Sequence, residues 1–261
     1  MQSPKATQET EENMSSAPDI QIFDNPTALF QGAADEFTSQ ATAAVQSSGR
    51  FTVALSGGST PKSLYSLLAT NASLPWGKTY FFFGDERHVP PDDPESNYRM
   101  ARESLLSKVP VPPENVFRVP AENPDAGQAA EAYEQTLRKF FGPPPGQFPR
   151  FDMVLLGMGP DGHTASLFPG IPALREKTRW VVSDWIEKFK THRITLTLPV
   201  LNNAAVVMFL VSGRDKANML KEVLQGKQPG EVFPSKLIKP SNGELIWMVD
   251  RAAAAQLSTV P

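Results

Sequence analysis

FDMVLLGMGPDGHTASLFPG, Phe151 to Gly170, is the stretch of this 261-residue chain whose reading decides the fold. Met153 to Leu156 is an unbroken apolar run, as expected of a strand buried on both faces of a sheet. Gly157, Gly159, Pro160 and Gly162 then interrupt it, Asp161 and His163 stand two residues apart, and the apolar residues after His163 read as a short helix stopped by Pro169-Gly170. Strand, polar loop, helix is the unit of an α/β protein. In open α/β sheets ligands bind just beyond the carboxyl ends of the strands, which makes this loop the candidate site.

The same unit recurs on both sides. Upstream, Phe51 to Leu55 is a strand, Ser56 to Ser59 a tight turn, and the following helix suits Pro61 at its first position. Thr79 to Phe83 is a third strand, ending in the charged run Asp85, Glu86, Arg87 and His88 before a helix capped by Ser96 or Asn97. Ile20 to Phe23 gives a first strand, and Asn25-Pro26 opens an alanine-rich helix with Leu29, Ala33 and Phe37 on one face. Further along, Val116 to Val119 reads as a brief strand and Ala126 to Phe141 as a helix. Strands follow at Arg179 to Trp185, His192 to Leu198, Val206 to Val211 and Leu245 to Val249, with helices after Gly213 and from Arg251 to Leu257. The expectation is one three-layer α/β/α domain over residues 20–261. Its sheet is Rossmann-like and mostly parallel, with helices on both faces, and a disordered tail precedes it over residues 1–19.

Composition removes several classes of function. There is no cysteine, so disulfides, thiolate nucleophiles and cysteine-bound zinc are out, and the chain suits a reducing, cytoplasmic compartment. The three histidines, His88, His163 and His192, show no metal-ligand spacing, so no metal is expected. The net charge of -3 lies in residues 1–19, which leaves 24 basic and 24 acidic residues elsewhere. A neutral body is no nucleic-acid footprint and points to a monomer. The longest apolar run, Ala204 to Val211, has eight residues against the roughly 18 of a membrane span. Gly77-Lys78-Thr79 fails as a P-loop because Ala72 stands where that motif has glycine.

What the loops do is less constrained. The turn at Gly57, Gly58, Ser59 and Thr60 would bind an anion through free amides at a helix start, or would simply be a capped turn. The Asp85-Glu86-Arg87 cluster is a solvated loop or part of a site. Gly157, Gly159 and Gly162 match G-x-G-x-x-G, and Asp184 lies at the distance where a dinucleotide fold has its ribose-binding acid. The charges of Asp161 and His163 and the early helix stop weigh against that reading. An imidazole, with an unperturbed pKa of about 6.5, can instead take a proton from water and return it to a leaving oxygen, for roughly 10²- to 10⁴-fold. With no G-x-S-x-G elbow, direct attack by water suits the chain better than a covalent intermediate. A third reading leaves His163 as a helix cap in a binding module.

A resemblance separates these. LSGGSTP at Leu55 to Pro61, FFGDERHVP at Phe82 to Pro90, SNYRMA at Ser96 to Ala101, LGMGPDGHTASLFPG at Leu156 to Gly170, RITLTLPVLNNA at Arg193 to Ala204 and SGRDKA at Ser212 to Ala217 resemble, in order, blocks of the 6-phosphogluconolactonase family. The related glucosamine-6-phosphate deaminases are the alternative; Thr164 to Pro169 after the D-G-H, and Gly84-Asp85-Glu86-Arg87, depart from their pattern. The resemblance implies hydrolysis of 6-phospho-D-glucono-1,5-lactone without a cofactor. It implies His163 as the base, Asp161 as its partner and Arg87 on the oxyanion. For the substrate it implies Gly57, Gly58, Ser59, Thr60 and Asp85, with Arg193 and Lys216 as phosphate-binding cations. It gives His88 and His192 no fixed role, and they are expected at the periphery or the surface.

Overall fold

The computed structural model describes residues 18–258. Largely apolar runs form its centre. Strands β2 (Phe51–Leu55), β3 (Thr79–Phe83), β5 (Met153–Gly157) and β8 (Val206–Val211) are almost entirely buried, as strands covered on both faces must be. With the edge strand β1 (Asp19–Phe23) and β9 (Glu244–Asp250) they make a six-stranded sheet in the order β1-β9-β8-β5-β2-β3, every pair parallel. The order reverses between β2 and β5, so the crevice at their carboxyl ends is the topological switch point.

Helices cover this sheet. In α1 (Pro26–Ser48) Asn25 caps the first turn, its Oδ1 taking the Ala28 amide at 2.9 Å, and Leu29, Ala33, Phe37 and Ala41 point into the core. α2 (Ser59–Leu68) follows β2 directly, with Pro61 as its third residue, not its first. The short α3 (Asn97–Ala101) runs on as a π-helical turn, Arg102–Leu106. α4 (Ala126–Phe141) starts at an Asp125 cap, and the short α5 (Leu198–Leu201) and α6 (Ala217–Gln225) complete the set. Two tyrosines tie helices to strand ends. The Tyr65 hydroxyl donates to Ser56 O at 2.9 Å and accepts the Ser56 amide at 3.0 Å; Tyr133 does the same for Phe83 at 3.1 and 2.8 Å. Each side chain thereby satisfies a backbone pair where its strand leaves the sheet, and burial pushes both phenols above their ordinary pKa.

The mostly parallel α/β sheet with flanking helices is as expected, and four local expectations are corrected. The charged run after β3 and the two strands near residues 181–196 form a separate antiparallel sheet, β4-β7-β6, built from β4 (Asp85–Arg87), β6 (Val181–Ile186) and β7 (Thr191–Leu196). The alternation of RITLTLP carried that signal, since a half-buried antiparallel strand alternates where a parallel one does not. No helix follows β5: Gly162 and Ala165 both have positive φ, +76° and +47°, which a right-handed helix excludes. Val116 to Val119 makes only one bridge, Val116 to Phe81, because the prolines around it remove ladder donors. The closing helix is a single 3₁₀ turn, Ala253–Gln256. As for the tail, residues 1–17 lie outside those described, and Asp19 already belongs to β1.

Candidate active site

At the switch point a cavity of about 390 Å³ opens, within the size range of small-molecule sites. Its floor on one side is the β2–α2 turn. Gly58 adopts φ +105°, no side chain caps α2, and Pro61 has no N–H to give, so the amides of Ser59 and Thr60 are left at the positive end of the helix. Gly57 serves another purpose: a Cβ there would lie 1.9 Å from Asn97 Oδ1. Asn97 in turn donates from Nδ2 to Asp85 O at 3.0 Å and to Asp85 Oδ1 at 3.3 Å.

Opposite stands the loop after β5. Gly159 N donates to His163 O at 2.8 Å and Thr164 Oγ1 to Gly157 O at 2.9 Å, folding the loop so that His163 faces the cavity. Its Nδ1 is hydrogen-bonded to Asp161 Oδ1, which fixes the imidazole with Nδ1 protonated and Nε2 as the free base. Burial pushes the Asp161 carboxyl up, but the hydrogen bonds and charge of His163, together with Lys188 Nζ at 3.3 Å, outweigh it and hold it well below the ordinary carboxylate range. The ring of Phe168 stacks on the imidazole at 4.1 Å, and Phe189 packs edge-on against Phe168 at 5.7 Å. Gly159 is required here as well, because a Cβ would sit 2.0 Å from the imidazole.

The antiparallel sheet forms the third wall. Arg87 and Arg193 are register partners on β4 and β7, two like charges side by side where an opposite pair would be preferred. Arg193 is 9 % exposed, its Nη1 has no partner among the described residues, and its guanidinium lies 5.2 Å from the Phe189 ring. Burial first, then the charge of Arg87, lowers its pKa. An anion between the two would relieve both the repulsion and the unmet donor. Lys216 enters from the turn after β8, where Gly213 (φ +103°) is held by Asp250, whose Oδ2 accepts the Gly213 amide at 3.0 Å and the Ser212 hydroxyl at 2.5 Å.

All the residues expected in the site line this cavity except Asp161, which stands behind His163. Asp85 is 8 % exposed and bound to the Ser166 hydroxyl at 2.6 Å and to Asn97, so much of its hydrogen bonding is internal. Glu86 is no solvated charge. Its carboxylate accepts the amides of Arg87, Asn97 and Tyr98 at 2.7–2.8 Å and caps α3. His88 and His192 lie outside the cavity: His88 Nε2 is 2.7 Å from Asn123 O, and the His192 ring packs on His88 and Trp185. The dinucleotide reading loses its acid, since Asp184 sits in β6 with Oδ2 on the Ala173 amide at 2.9 Å, and it loses its helix. Asn97, Phe168, Phe189 and Lys188 were missed. Asn97 and Phe168 lie in the blocks that carry the resemblance but were given no role beyond a helix cap for Asn97, and Lys188 and Phe189 lie in no such block.

The family model described as glucosamine-6-phosphate isomerases/6-phosphogluconolactonase matches residues 24–247. A 6-phosphogluconolactonase of a Nostoc species is 44% identical over 239 residues, covering 92% of this chain and 98% of that one. One from Synechocystis is 42% identical over 241 residues, with 92% and 99% covered. Among solved structures, 6-phosphogluconolactonase from Trypanosoma cruzi superposes with a TM-score of 0.83 at 33% identity, covering 95% of this chain and 100% of its own.

Proposed function

The chain belongs to the glucosamine-6-phosphate isomerase/6-phosphogluconolactonase family, and on that premise we propose that its cavity opens the ring of 6-phospho-D-glucono-1,5-lactone with water, giving 6-phosphogluconate for the oxidative pentose phosphate pathway. The observation that carries this reading is an imidazole with its tautomer set by a carboxylate, facing a cavity whose other walls are anion receptors.

The phosphate lies on the amides of the Gly57–Thr60 turn, with Lys216 and Arg193 neutralising it. His163 Nε2 takes a proton from water as the water oxygen bonds to the lactone carbonyl carbon. The carbonyl oxygen becomes an oxyanion, stabilised by Arg87 and by amides of the loop after β5. As the carbon–ring-oxygen bond breaks, imidazolium returns its proton to the ring oxygen, so no net charge is left on the enzyme. Asp161 holds the ring and favours its charged form in between. Asp85 braces the wall through Ser166 and Asn97 and borders the sugar.

The protein works as a cytoplasmic monomer. Among the described residues the exposed large apolar side chains are few, Ile22, Trp185, Phe189 and Val232, and no helix is long and apolar enough to cross a membrane. Size-exclusion chromatography at micromolar concentration checks this, a dimer peak being the contrary result. The activity is tested by generating the lactone fresh, from oxidation of glucose 6-phosphate, and following acid release. Acceleration over spontaneous opening is expected, and a rate equal to the spontaneous one overturns the reading.

A further inference from the structure

The tip of the β6–β7 hairpin, Glu187–Lys190, reaches the catalytic loop from a different sheet. Lys190 turns the chain with φ +51°. The tip then makes a chain of contacts at the cavity mouth. Lys188 Nζ is 3.3 Å from Asp161 Oδ2 and 5.4 Å from the Phe189 ring centroid. Phe189 packs on Phe168, which stacks on His163, and the Arg193 guanidinium lies over the Phe189 ring at 5.2 Å. The two oxygens of Asp161 are thus divided, Oδ1 to the imidazole and Oδ2 to the ammonium group.

That division has a consequence for catalysis. A carboxylate on Nδ1 favours the imidazolium form over the neutral base. A positive charge on the far oxygen offsets part of this, keeping the ring neutral, and therefore active, to lower pH. We propose that Lys188 is a positioning residue for the reaction, setting the acidic limit of His163 as a base by sharing the Asp161 carboxylate. The inference rests on the reading of His163 as general base.

Asp161 itself stays charged throughout the working range, because its carboxyl is held far below the ordinary value. Other charged groups around the cavity act on the same ring from every packed element: Arg193 from β7, Lys216 from the turn after β8, Arg87 and Asp85 from β4, and Glu95 ahead of α3. Among the described residues Lys188 is the cation paired with Asp161 Oδ2, and it is also the most exposed partner of that pair, at 56 % against 30 %. Exposure makes its effect moderate and sensitive to salt.

The test is the pH profile of kcat at saturating lactone for the wild type, Lys188→Met, Lys188→Arg and Lys188→Glu. Removing the charge should move the acidic limb up by about half a pH unit, so that at pH 5.5 the rate relative to the plateau falls about threefold. Glu at this position should move it about twice as far, Arg should hold it near the wild-type limb, and 1 M salt should close most of the gap. A response graded with charge is something a merely structural hairpin contact does not produce. Limbs that superimpose after scaling, including a uniform loss of rate at all pH values, overturn the inference. If His163→Ala also retains full activity, it is the general-base reading that fails, whereas an inactive His163→Ala beside an unmoved Lys188→Met limb sinks this inference alone.

Discussion

Two glycine-rich loops leave neighbouring strands at the same edge of the parallel sheet, Ser56–Gly58 after β2 and Met158–Gly170 after β5. The first runs directly into a ten-residue helix and offers backbone amides. The second forms no helix. It crosses to the antiparallel sheet, where the Ser166 hydroxyl donates to Asp85 at 2.6 Å and the Ser166 amide donates to Thr195 Oγ1 at 3.3 Å, and it rests on Ser235, whose hydroxyl donates to Gly162 O at 2.9 Å. Backbone dipoles do the binding in one loop, and a positioned side chain does the chemistry in the other. Their glycines differ accordingly. Gly57 makes room for Asn97 and Gly159 for the imidazole, while Gly58 and Gly162 supply positive φ.

The difference can be broken by substitution, starting with the largest effect. His163→Ala removes the base from the β5 loop and should lower kcat by at least about 100-fold with little change in KM. Steady-state kinetics that show an unchanged kcat remove His163 from the mechanism. Gly159→Ala leaves every polar group in place yet drives a methyl into the ring. A loss of roughly 30- to 100-fold in kcat is expected, because displacement by about 1 Å suffices for that. Wild-type kinetics for this variant would mean that the loop tolerates a ring shift.

On the binding side, Lys216→Ala should raise KM for the phosphorylated lactone by about 10- to 30-fold, the worth of a charge-assisted hydrogen bond. Slow turnover of an unphosphorylated δ-lactone should hardly change, and equal losses on both substrates would make Lys216 structural. Ser59→Ala and Thr60→Ala keep the amides and lose only hydroxyls, so KM should rise no more than about threefold. A tenfold rise would show that the β2 loop, too, works through side chains.

Glu176, away from both loops, gives the smallest effect on turnover. Burial raises its carboxyl, but the amides of Thr178 and Arg179 and the Arg179 guanidinium outweigh this and hold it down to about 2. A depressed folded pKa stabilises above the unfolded value of about 4.3, and that contribution is lost as pH falls from there through about 2. Glu176→Gln should therefore leave kcat unchanged and lower Tm at pH 7 by roughly 2–4 °C. The gap should narrow on acidification toward pH 2.5. A Tm difference that does not shrink with acid contradicts this assignment.

Much of this was legible in the sequence. Val154 and Phe209 lie in uninterrupted apolar runs, which only strands covered on both faces can use, and Asn25-Pro26 announces a helix start through local hydrogen bonding. Asp161, two residues before His163, can reach the same imidazole from within one turn. These are near-neighbour interactions, so the chain's own order determines them. The helix expected after His163 failed because Ala165 turns left-handed to meet a sheet that local pattern does not place. Tertiary structure alone decided that Arg87 and Arg193 stand side by side, that Phe189 covers Phe168, and that Lys188 reaches Asp161. Those contacts depend on strand register and on one sheet packing over another, and the free energy that sets them belongs to the folded chain as a whole.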